Sequence, residues 1–570
     1  MSGNDLYEAE RQTGALNSNR YYRSFRQAVV LLLCLKLCFL AAFTWRSRFV
    51  MDEFVQLGWA KYMGHGLFDT VWHAKAVGYA VFYKLAHLLG WDATSILLIG
   101  RVQTALLACA TMAVVYACAR TLGESRRRAS IIVLVLLSFS NFIERIFRTI
   151  AEPSAVFFAA VALLVVLRGR NLGARTLLVA GALSGLAFLA TQKSIYFNIA
   201  LGLALVADAA FARSYLEGFR RGALLVAGWA LAVLAYCLVF GGSNPLPILQ
   251  NLVYGPLAVA TTGADPYGSL RSYVVQTLTR NSILYAFCFA GLILEALRIT
   301  KLEPRRRICL IFTLVITVLV FAHDQPWPYV FIMALPFLAL WSLTVFDRLP
   351  LTSIYRTAAV SILAIFVLMT FVRNFQYLSI DNADQLSVVA RAETLVQPGD
   401  IYFDGVGMLP NRSEPSTLWL DKALVLKTLR EGRNSEAYGI FSERPPKVII
   451  WSSRMDAIEP VVGPLIRDSY VKVGPNVLLA GRQLLRGSEV AFELPFAGQF
   501  QLYDVGGRPL RGSVEIDGVE VSPPFRLSRG PKTLVRRGGP PFAFLLPAGT
   551  PPGPIQPQKP DHPLFARVYD

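Results

Sequence analysis

Long apolar runs alternate with short polar segments along the first 373 residues of the chain. Each run comes close to the roughly 20 consecutive apolar residues with which a helix crosses the hydrocarbon core of a bilayer. The eleven runs lie near residues 28–44, 102–119, 130–144, 153–167, 176–191, 195–212, 222–240, 282–297, 308–322, 329–346 and 356–372. The pattern predicts a polytopic α-helical membrane protein with about 11 transmembrane helices over 28–373, preceded by a polar segment, 1–27.

Two of the polar segments between the runs are long. In residues 45–95, apolar side chains such as Phe54, Leu57 and Tyr83 recur at helical spacing among polar ones. This spacing is typical of helices that lie on a membrane surface. Residues 241–281 contain proline, glycine and tyrosine, and this composition predicts a mobile loop.

The apolar runs stop after residue 373, and charged residues, glycine and proline become frequent. Over 374–487, short β-rich runs alternate with helical patterns, which predicts a soluble α/β region. Over 488–539, the run Val514–Ile516 followed by the turn Asp517-Gly518 predicts a small antiparallel β-module. The remaining segment, 540–570, is rich in proline and is predicted to be an extended tail.

Basic residues follow the alternation of the apolar runs. The chain has a net charge of +18, yet only 16% of its 570 residues are charged, against about 25% in a typical soluble protein. Arginine and lysine concentrate in alternate short segments, as at Arg126–Arg128 and Arg305–Arg307, and the segments between these are nearly bare. This is the positive-inside pattern of membrane proteins. It predicts a cytoplasmic N-terminus, a C-terminal domain outside and no nucleic-acid partner.

Two adjacent carboxylates, Asp52 and Glu53, follow the first apolar run on the predicted outer face. Such a pair beside a membrane suits acid–base catalysis on a hydroxyl group. It equally suits the N-terminus of a helix, where acidic side chains accept hydrogen bonds from free N–H groups and are favoured by the helix dipole. The local pattern leaves both interpretations open.

The residues that follow this pair occur in a recognisable order. They are Trp59-Ala60-Lys61, His73-Ala74-Lys75, Tyr79 and Leu89-Gly90-Trp91, and Arg101 then opens the second apolar run. The order resembles the GT-C glycosyltransferases, in particular the protein O-mannosyltransferases and the lipid A aminoarabinose and galacturonic acid transferases. Those enzymes transfer a sugar, with inversion, from a polyprenyl-phosphate carrier on the outer face. One difference is that Ala76 and Val77 follow Lys75, where many members have prolines.

Three short outer turns extend the resemblance. Arg148–Pro153 resembles the turn that opens the fourth span of the family, Gln192–Tyr196 occupies the next outer turn, and His323–Tyr329 resembles the turn before a late span containing proline. The resemblance implies that the substrates are contacted by Lys75, Tyr79, Arg148, Glu152, Lys193, His323, Asp324 and Tyr329.

An inverting transfer requires a base for the acceptor proton and cations for the leaving phosphate. The resemblance implies that Asp52 is the base and that Glu53 orients the acceptor or assists Asp52. Arg148 and Lys193 would bind the carrier phosphate, arginine through two hydrogen bonds and lysine as a point charge. If the acceptor is itself a phosphate, no proton has to be removed, and Asp52 would steer or bind the sugar instead.

Structural roles compete with these assignments. Lys193 and Arg148 stand at helix ends, where long basic side chains reach lipid headgroups, although they lie on the face where basic residues are sparse. His323 also suits a structural role, and Asp324 suits either a metal ligand or a helix cap. The chain has no HExxH motif and no paired cysteines, so its residues define no metal site, and a divalent metal stays open.

Taken together, these patterns favour an integral-membrane glycosyltransferase that moves a hexosyl or pentosyl group from a polyprenyl-phosphate sugar to an acceptor lipid, glycan or protein. The alternative is a transporter or flippase of a lipid-linked glycan, but transporters usually have paired halves with spans broken near the midplane. A third interpretation, a glycan-binding scaffold, does not need eleven spans. Residue usage favours a bacterial inner membrane, with the C-terminal domain in the periplasm.

Overall fold

The computed structural model describes residues 3–62, 76–169, 171–241, 244–261, 271–323, 328–348, 353–415, 442–549, 552–555 and 563–565. The chain divides into two compact units. The membrane unit comprises Met1–Ser47, His73–Tyr79 and Arg101–Ile380. The C-terminal unit comprises Arg48–Trp72, Ala80–Gly100 and Asp381–Asp570.

The membrane unit is built from helices, and every predicted apolar run coincides with helical structure. The α-helices are Gly3–Arg46, Ala93–Thr121, Arg126–Ser138, Ser140–Ile143, Ala151–Arg168, Ala174–Ala190, Ile195–Phe211, Tyr215–Gly241, Leu246–Thr261, Arg271–Arg280, Ser282–Ala296, Pro304–Phe321, Leu335–Ala339, Val345–Arg348 and Ser353–Tyr377. The helix Ala93–Thr121 belongs to this unit only from Arg101 onward. Short 3₁₀ helices occupy Gln192–Ser194, Ile299–Lys301 and Pro328–Met333.

Several of these helices have the length and composition of membrane spans. Among the described residues, six qualify: Phe25–Arg46, Ala93–Thr121, Ala151–Arg168, Gln192–Phe211, Tyr215–Gly241 and Ile354–Tyr377. A pair of helices, Arg271–Arg280 and Ser282–Ala296, is bent by 95° and would add a seventh if it were one span. The protein is therefore a multi-pass membrane protein, and the predicted number of eleven spans stays a prediction. Other apolar runs form shorter pieces, such as the 17-residue helix Ala174–Ala190.

Glycines bring two helices of the membrane unit into close contact. A Cβ atom built on Gly181 would lie 2.1 Å from the carbonyl oxygen of Leu225, and one built on Gly228 would lie 2.1 Å from that of Leu178. Small residues of this kind let membrane helices approach at the backbone, where van der Waals packing holds them together. The helices Ala174–Ala190 and Tyr215–Gly241 therefore form a tight parallel pair.

Buried acidic residues account for part of the arginine in the short loops. Asp208 forms ion pairs with Arg307 at 2.6 Å and with Arg221 at 3.0 Å. Glu295, whose side chain is fully buried, pairs with Arg306 at 2.5 Å and with Arg348 at 2.9 Å. These arginines satisfy charges that would be costly inside the unit, in addition to following the topology rule.

The prediction of a loop over 241–281 is wrong for most of that segment. It contains the helices Leu246–Thr261 and Arg271–Arg280. Pro247 is the second residue of the first helix, a position where proline is compatible with a helix because no backbone hydrogen bond is lost. Proline there is consequently not a loop signal.

The C-terminal unit combines two segments of the predicted loop 45–95 with the chain beyond Ile380. Both predicted surface segments of that loop are helical, at Met51–Lys61 (the Asp52 helix) and Gly78–Leu89. The sequence pattern assigned the whole loop to the transmembrane part, whereas Arg48–Trp72 and Ala80–Gly100 belong to the C-terminal unit. The reason is that their apolar side chains pack against residues far along the chain, which no local pattern reveals.

An α/β layer forms the first part of this unit. Its strands are β1 Tyr402–Phe403, β2 Val448–Ile450, β3 Tyr470–Gly474 and β4 Val477–Ala480, in the order β1-β2-β4-β3. The β1–β2 pair is parallel and the other pairs are antiparallel. The helix Ser453–Ser469 covers the sheet with Met455, Ile458, Val462 and Ile466, an apolar stripe at helical spacing.

The β-module follows as two four-stranded antiparallel sheets. The strands are β5 Arg482–Leu485, β6 Glu489–Leu494, β7 Gly498–Tyr503, β8 Val514–Ile516, β9 Val519–Val521, β10 Phe525–Leu527, β11 Gly530–Val535 and β12 Phe542–Pro547. One sheet has the order β10-β7-β12-β5 and the other β6-β11-β8-β9.

The module extends beyond its predicted bounds, 488–539. Strand β5 begins earlier, and β12, which lies in the predicted tail, pairs with both β5 and β7. Pro540 and Pro541 precede β12 directly, and their composition concealed the apolar strand that follows.

Candidate functional site

Asp52 and Glu53 occupy the first turn of the Asp52 helix but have different surroundings. Glu53 is fully buried, and its Oε1 accepts a hydrogen bond from the backbone N–H of Val50 at 3.0 Å. This contact closes the N-terminus of the helix. Asp52 is half-buried. The pair suited either acid–base catalysis or helix capping. Glu53 caps the helix, whereas Asp52 is the carboxylate with access to solvent.

The C-terminal unit fixes the chain just before Asp52. The side chain of Gln385 accepts a hydrogen bond from Phe49 N at 2.7 Å and donates to Phe49 O at 3.0 Å. The same amide donates to Leu564 O at 2.6 Å. The Phe54 ring packs edge-on against Phe565, with 5.7 Å between centroids. Residues from two distant parts of the unit, Gln385 and the segment 564–565, therefore set the start of the Asp52 helix.

The other end of the Asp52 helix is anchored by a buried polar cluster. Lys61 Nζ donates to the carbonyl oxygen of Arg412, and burial lowers the pKa of Lys61 to about 8. Burial also raises the pKa of Glu414 well above its ordinary value, and the neighbouring Asp404 raises it further. The carboxylate of Asp404 accepts three backbone N–H groups, from Val406 to Met408, at 2.6–2.7 Å. The cluster therefore favours the protonated, neutral form of Glu414, whereas Lys61 is still mostly protonated at pH 7.

Polar contacts hold helix Gly78–Leu89 against the Asp52 helix. His87 Nε2 lies 2.9 Å from the carbonyl oxygen of Leu57, and Lys84 Nζ donates to Lys61 O at 3.1 Å. Burial lowers the pKa of His87 to about 4, so the ring is neutral at physiological pH. A neutral ring with its proton on Nε2 donates to Leu57 O, which fixes the tautomer.

In the membrane unit, three predicted substrate-binding residues lie together. Lys193 Nζ forms an ion pair with Glu152 Oε1 at 3.1 Å and lies 4.4 Å from the centroid of the Tyr329 ring. Glu152 is in the first turn of Ala151–Arg168, and Lys193 is in the 3₁₀ turn Gln192–Ser194. The pairing gives a half-buried cation whose position is fixed by a carboxylate and an aromatic face.

His323 contacts a residue without a predicted role. Its Nδ1 lies 2.8 Å from the hydroxyl of Tyr196, which follows Lys193 by three residues. Helical spacing placed Tyr196 near Lys193, but only the fold connects it to His323. The side chain of Gln192 in the same turn donates to Leu252 O at 3.4 Å, so the turn also contacts the helix Leu246–Thr261.

Tyr79 is buried beside a tight backbone contact of the membrane unit. Its neighbour Gly78 stands where a Cβ atom would lie 2.6 Å from Leu189 O, and Val77 N donates to the Tyr236 hydroxyl at 3.3 Å. Two other predicted site residues, Lys75 and Asp324, lie outside the described residues. No group of three or more His, Cys, Asp or Glu side chains suited to a metal occurs within the described ranges.

Arg148 belongs to a group of basic residues that the sequence only partly indicates. Its Nε donates to Glu144 O at 3.0 Å. The positive charges of Arg145, Arg280, Arg148 and Arg373 act on the carboxylate of Glu144. Arg145 and Arg148 lie on the predicted outer face, where basic residues are sparse. Their position there is a signal for a functional role that the sequence itself provides. Nothing in the sequence placed Arg280 and Arg373 beside them.

Comparisons with known proteins identify no named family. A domain of unknown function, DUF7055, matches residues 482–547, and another, DUF7056, matches residues 426–479. No curated protein matches the chain.

Solved structures are similar in fold at low sequence identity. ArnT from Cupriavidus metallidurans bound to undecaprenyl phosphate is 15% identical, with a TM-score of 0.57 over 80% of this chain and 98% of that chain. The apo state of the same protein gives 13% identity and a TM-score of 0.55 at the same coverage. The archaeal oligosaccharyltransferase AglB from Archaeoglobus fulgidus, in complex with an inhibitory peptide and a dolichol-phosphate, gives 12% and 0.46 over 88% of this chain and 76% of that chain.

The likeness to the two ArnT structures extends over four-fifths of the chain and almost the whole of ArnT. The resemblance predicted from the order of residues is thereby confirmed for the fold, and the chain shares the fold of ArnT.

Proposed function

We propose that the protein is a membrane glycosyltransferase that transfers a sugar from a polyprenyl-phosphate donor to an acceptor lipid, glycan or protein. The observation that carries the proposal is the fold shared with ArnT, which was solved with undecaprenyl phosphate bound. Fold alone does not determine chemistry, so the assignment also depends on the residues described above.

Asp52 is the proposed base. Its carboxylate takes the proton of the acceptor hydroxyl while the oxygen attacks the anomeric carbon, and the bond from that carbon to the carrier phosphate breaks with inversion. Two features support this role: Asp52 is only half-buried, and the capped helix end holds its backbone in place. Glu53 is a positioning residue in this scheme, because its carboxylate caps the helix.

Lys193 is the proposed contact to the carrier phosphate. A cation there would stabilise the charge that develops on the leaving oxygen, and Glu152 and Tyr329 hold the ammonium group in one place. Arg148, Tyr79, His323, Lys75 and Asp324 remain proposed substrate contacts. The donor is a substrate rather than a resident cofactor.

The test is sugar transfer from a radiolabelled polyprenyl-phosphate sugar pool to an endogenous acceptor, comparing wild type with Asp52→Asn. Loss of a general base typically costs about 10²–10⁴-fold in rate, and we expect a loss in that range with normal membrane insertion. Asp384→Asn is the matched control, since Asp384 is an exposed aspartate in the first turn of another helix of the same unit.

The outcomes separate the parts of the proposal. Label transfer by wild type and the control, but not by Asp52→Asn, supports both the enzyme class and the base. Equal transfer by all three rejects Asp52 as the base. Absence of transfer by wild type from any carrier-linked sugar rejects the glycosyltransferase.

A further inference from the structure

A buried arginine, Arg536, directly follows strand β11 of the β-module. Side chains alternate between the two faces of a strand, so Arg536 shares the inner face with Leu534, which belongs to the apolar core of the module. The side chain of Arg536 is 2% exposed. An apolar residue would continue the core at this position, so packing does not explain why the chain has an arginine there.

The guanidinium group of Arg536 has no partner among the residues that the structure describes. Its Nε, Nη1 and Nη2 atoms are all buried, and none of them donates a hydrogen bond within that part of the chain. Burial lowers the pKa of Arg536, and the positive charge of Arg486 lowers it further, yet an arginine remains protonated at pH 7. A buried charge without a partner is unfavourable, and an unsatisfied buried group indicates a missing ion or ligand.

The carboxylates nearest to Arg536 in the strand register lie on the other face of the sheet. Val535 is paired with Glu489 on β6 and with Glu515 on β8. Residues that are paired in register share a face of the sheet, and Arg536 is on the opposite face from Val535. Glu515 already forms an ion pair with Arg537 at 2.7 Å. The strands therefore bring these acidic side chains to the surface and leave Arg536 inside.

A second arginine lies at the surface beside Arg536. The turn that carries Arg486 joins the two sheets at this end of the module, because Arg486 N donates to Pro541 O at 3.0 Å and Gly487 N donates to Arg536 O at 2.8 Å. Arg486 is exposed, and so are residues 537–541 in the turn that follows Arg536. The buried guanidinium group is therefore covered by only a thin layer of chain.

We propose that Arg536 and Arg486 form a site for an oxyanion, a carboxylate or a phosphate group, at this end of the β-module. A guanidinium group binds either of these through two parallel hydrogen bonds. The oxyanion supplies the partner that the described chain does not provide for Arg536. An acidic sugar and a sugar phosphate are two sources of this chemistry. The site lies in the C-terminal unit, and binding there does not depend on whether the protein transfers sugar.

The experiment measures the Tm of the full-length protein in detergent as the anion is changed. Sodium glucuronate or sodium phosphate replaces sodium chloride at constant ionic strength, and glucose serves as the uncharged sugar. The test variant is Arg536→Met. The matched control is Arg526→Met, which removes an exposed arginine from strand β10 of the same module.

We expect the Tm of wild type and of the control to rise with the concentration of one or both oxyanions, because a ligand that binds only the folded protein stabilises it. In Arg536→Met the half-maximal concentration should be at least about tenfold higher, since hydrogen bonds to a charged group are lost. Glucose should not distinguish the proteins. A rise with glucuronate alone identifies a carboxylate site, a rise with phosphate alone a phosphate site, and a rise with both a general oxyanion site.

Two results overturn the proposal: a Tm of wild type that is the same in both oxyanions as in chloride, or an equal rise in wild type and Arg536→Met. If the methionine variant does not fold, Arg536→Lys decides instead, because it keeps the charge and removes the two parallel hydrogen bonds. A higher half-maximal concentration for Arg536→Lys supports the site, and the wild-type value overturns it.

Discussion

Neighbouring residues in the Asp52 helix have different roles because their burial differs. Glu53 is fully buried and caps the helix, whereas Asp52 is half-buried. An acidic pair at a helix start is therefore not two equivalent catalytic groups. Changes at Glu53 should act on the stability of the helix, and changes at Asp52 on the reaction.

His87 makes the C-terminal unit sensitive to acid. Its pKa is about 4 in the folded protein and about 6.5 when unfolded. Between these values the unfolded chain binds more protons, so stability is complete above pH 6.5 and falls as the pH drops toward 4. From pH 6.5 to 5 the loss amounts to at most about 2 kcal/mol, at 1.36 kcal/mol per pH unit.

The measurement is the Tm of detergent-purified protein at pH 7 and pH 5, for wild type and His87→Gln. Glutamine can still donate to Leu57 O but does not titrate, so its Tm should fall less on acidification. Equal falls in the two proteins would assign the acid sensitivity to other groups.

At the residue scale, the sequence predicted individual candidates better than their contacts. Lys193, Glu152 and Tyr329 were named from the order of motifs and lie together. Tyr196 was quoted within a motif but received no role, because its contact to His323 joins positions 127 apart in the chain. Contacts of this separation are set by the fold and leave no local periodicity.

At the scale of elements, two glycines on one helix test the packing of Ala174–Ala190 against Tyr215–Gly241. A Cβ at Gly228 meets Leu178 O at 2.1 Å, whereas a Cβ at Gly222 meets only Val206 Cγ2, at 3.7 Å. Overpacking costs about 1–3 kcal/mol, while alanine in place of glycine within a helix gains about 0.5–1 kcal/mol. Gly228→Ala should therefore lower stability and Gly222→Ala should preserve or raise it.

Thermal unfolding in one detergent, followed by the monodisperse fraction on size exclusion, measures both variants. The same Tm change in the two proteins would show that the helices do not meet at Gly228.

Elements were predictable where the environment imposes a pattern. The bilayer requires long apolar helices, and every predicted run coincides with helical structure. The pattern failed over 241–281 and at β12, where proline lies at the start of an element and is compatible with it. Proline marks a boundary in these segments, and the sequence alone did not show on which side the element lies.

At the scale of the whole molecule, the division of the chain into its two units could not be predicted from the sequence. Gln385 joins Phe49 to Leu564 across hundreds of residues. A hydropathy pattern describes only residues that are close in sequence. It therefore groups the predicted loop 45–95 with the spans on either side of it. Only the packing of the loop shows that it belongs with the C-terminal unit.

Gln385→Leu tests whether this connection supports activity. It removes three hydrogen bonds, two of them to buried backbone groups of Phe49, at a cost of about 1–3 kcal/mol for each buried group that loses its partner. We expect a lower Tm and a transfer rate roughly tenfold lower, because small displacements of a catalytic group are costly. Gln499→Leu, at an exposed position of the same unit, is the control. Wild-type transfer by Gln385→Leu would show that the connection is dispensable.

The contacts of Arg48, Gln385 and Phe54 with residues 563–565 have a consequence for biogenesis. Arg48 donates to Pro563 O at 2.7 Å across 515 positions of the chain. During synthesis, the spans can insert one after another while the segment around Asp52 still lacks these partners. Its final conformation has to wait until residues 563–565 have left the ribosome. A nascent chain that stalls earlier should be inserted in the membrane and yet inactive, so the order of translation itself delays activity until residues 563–565 have been made.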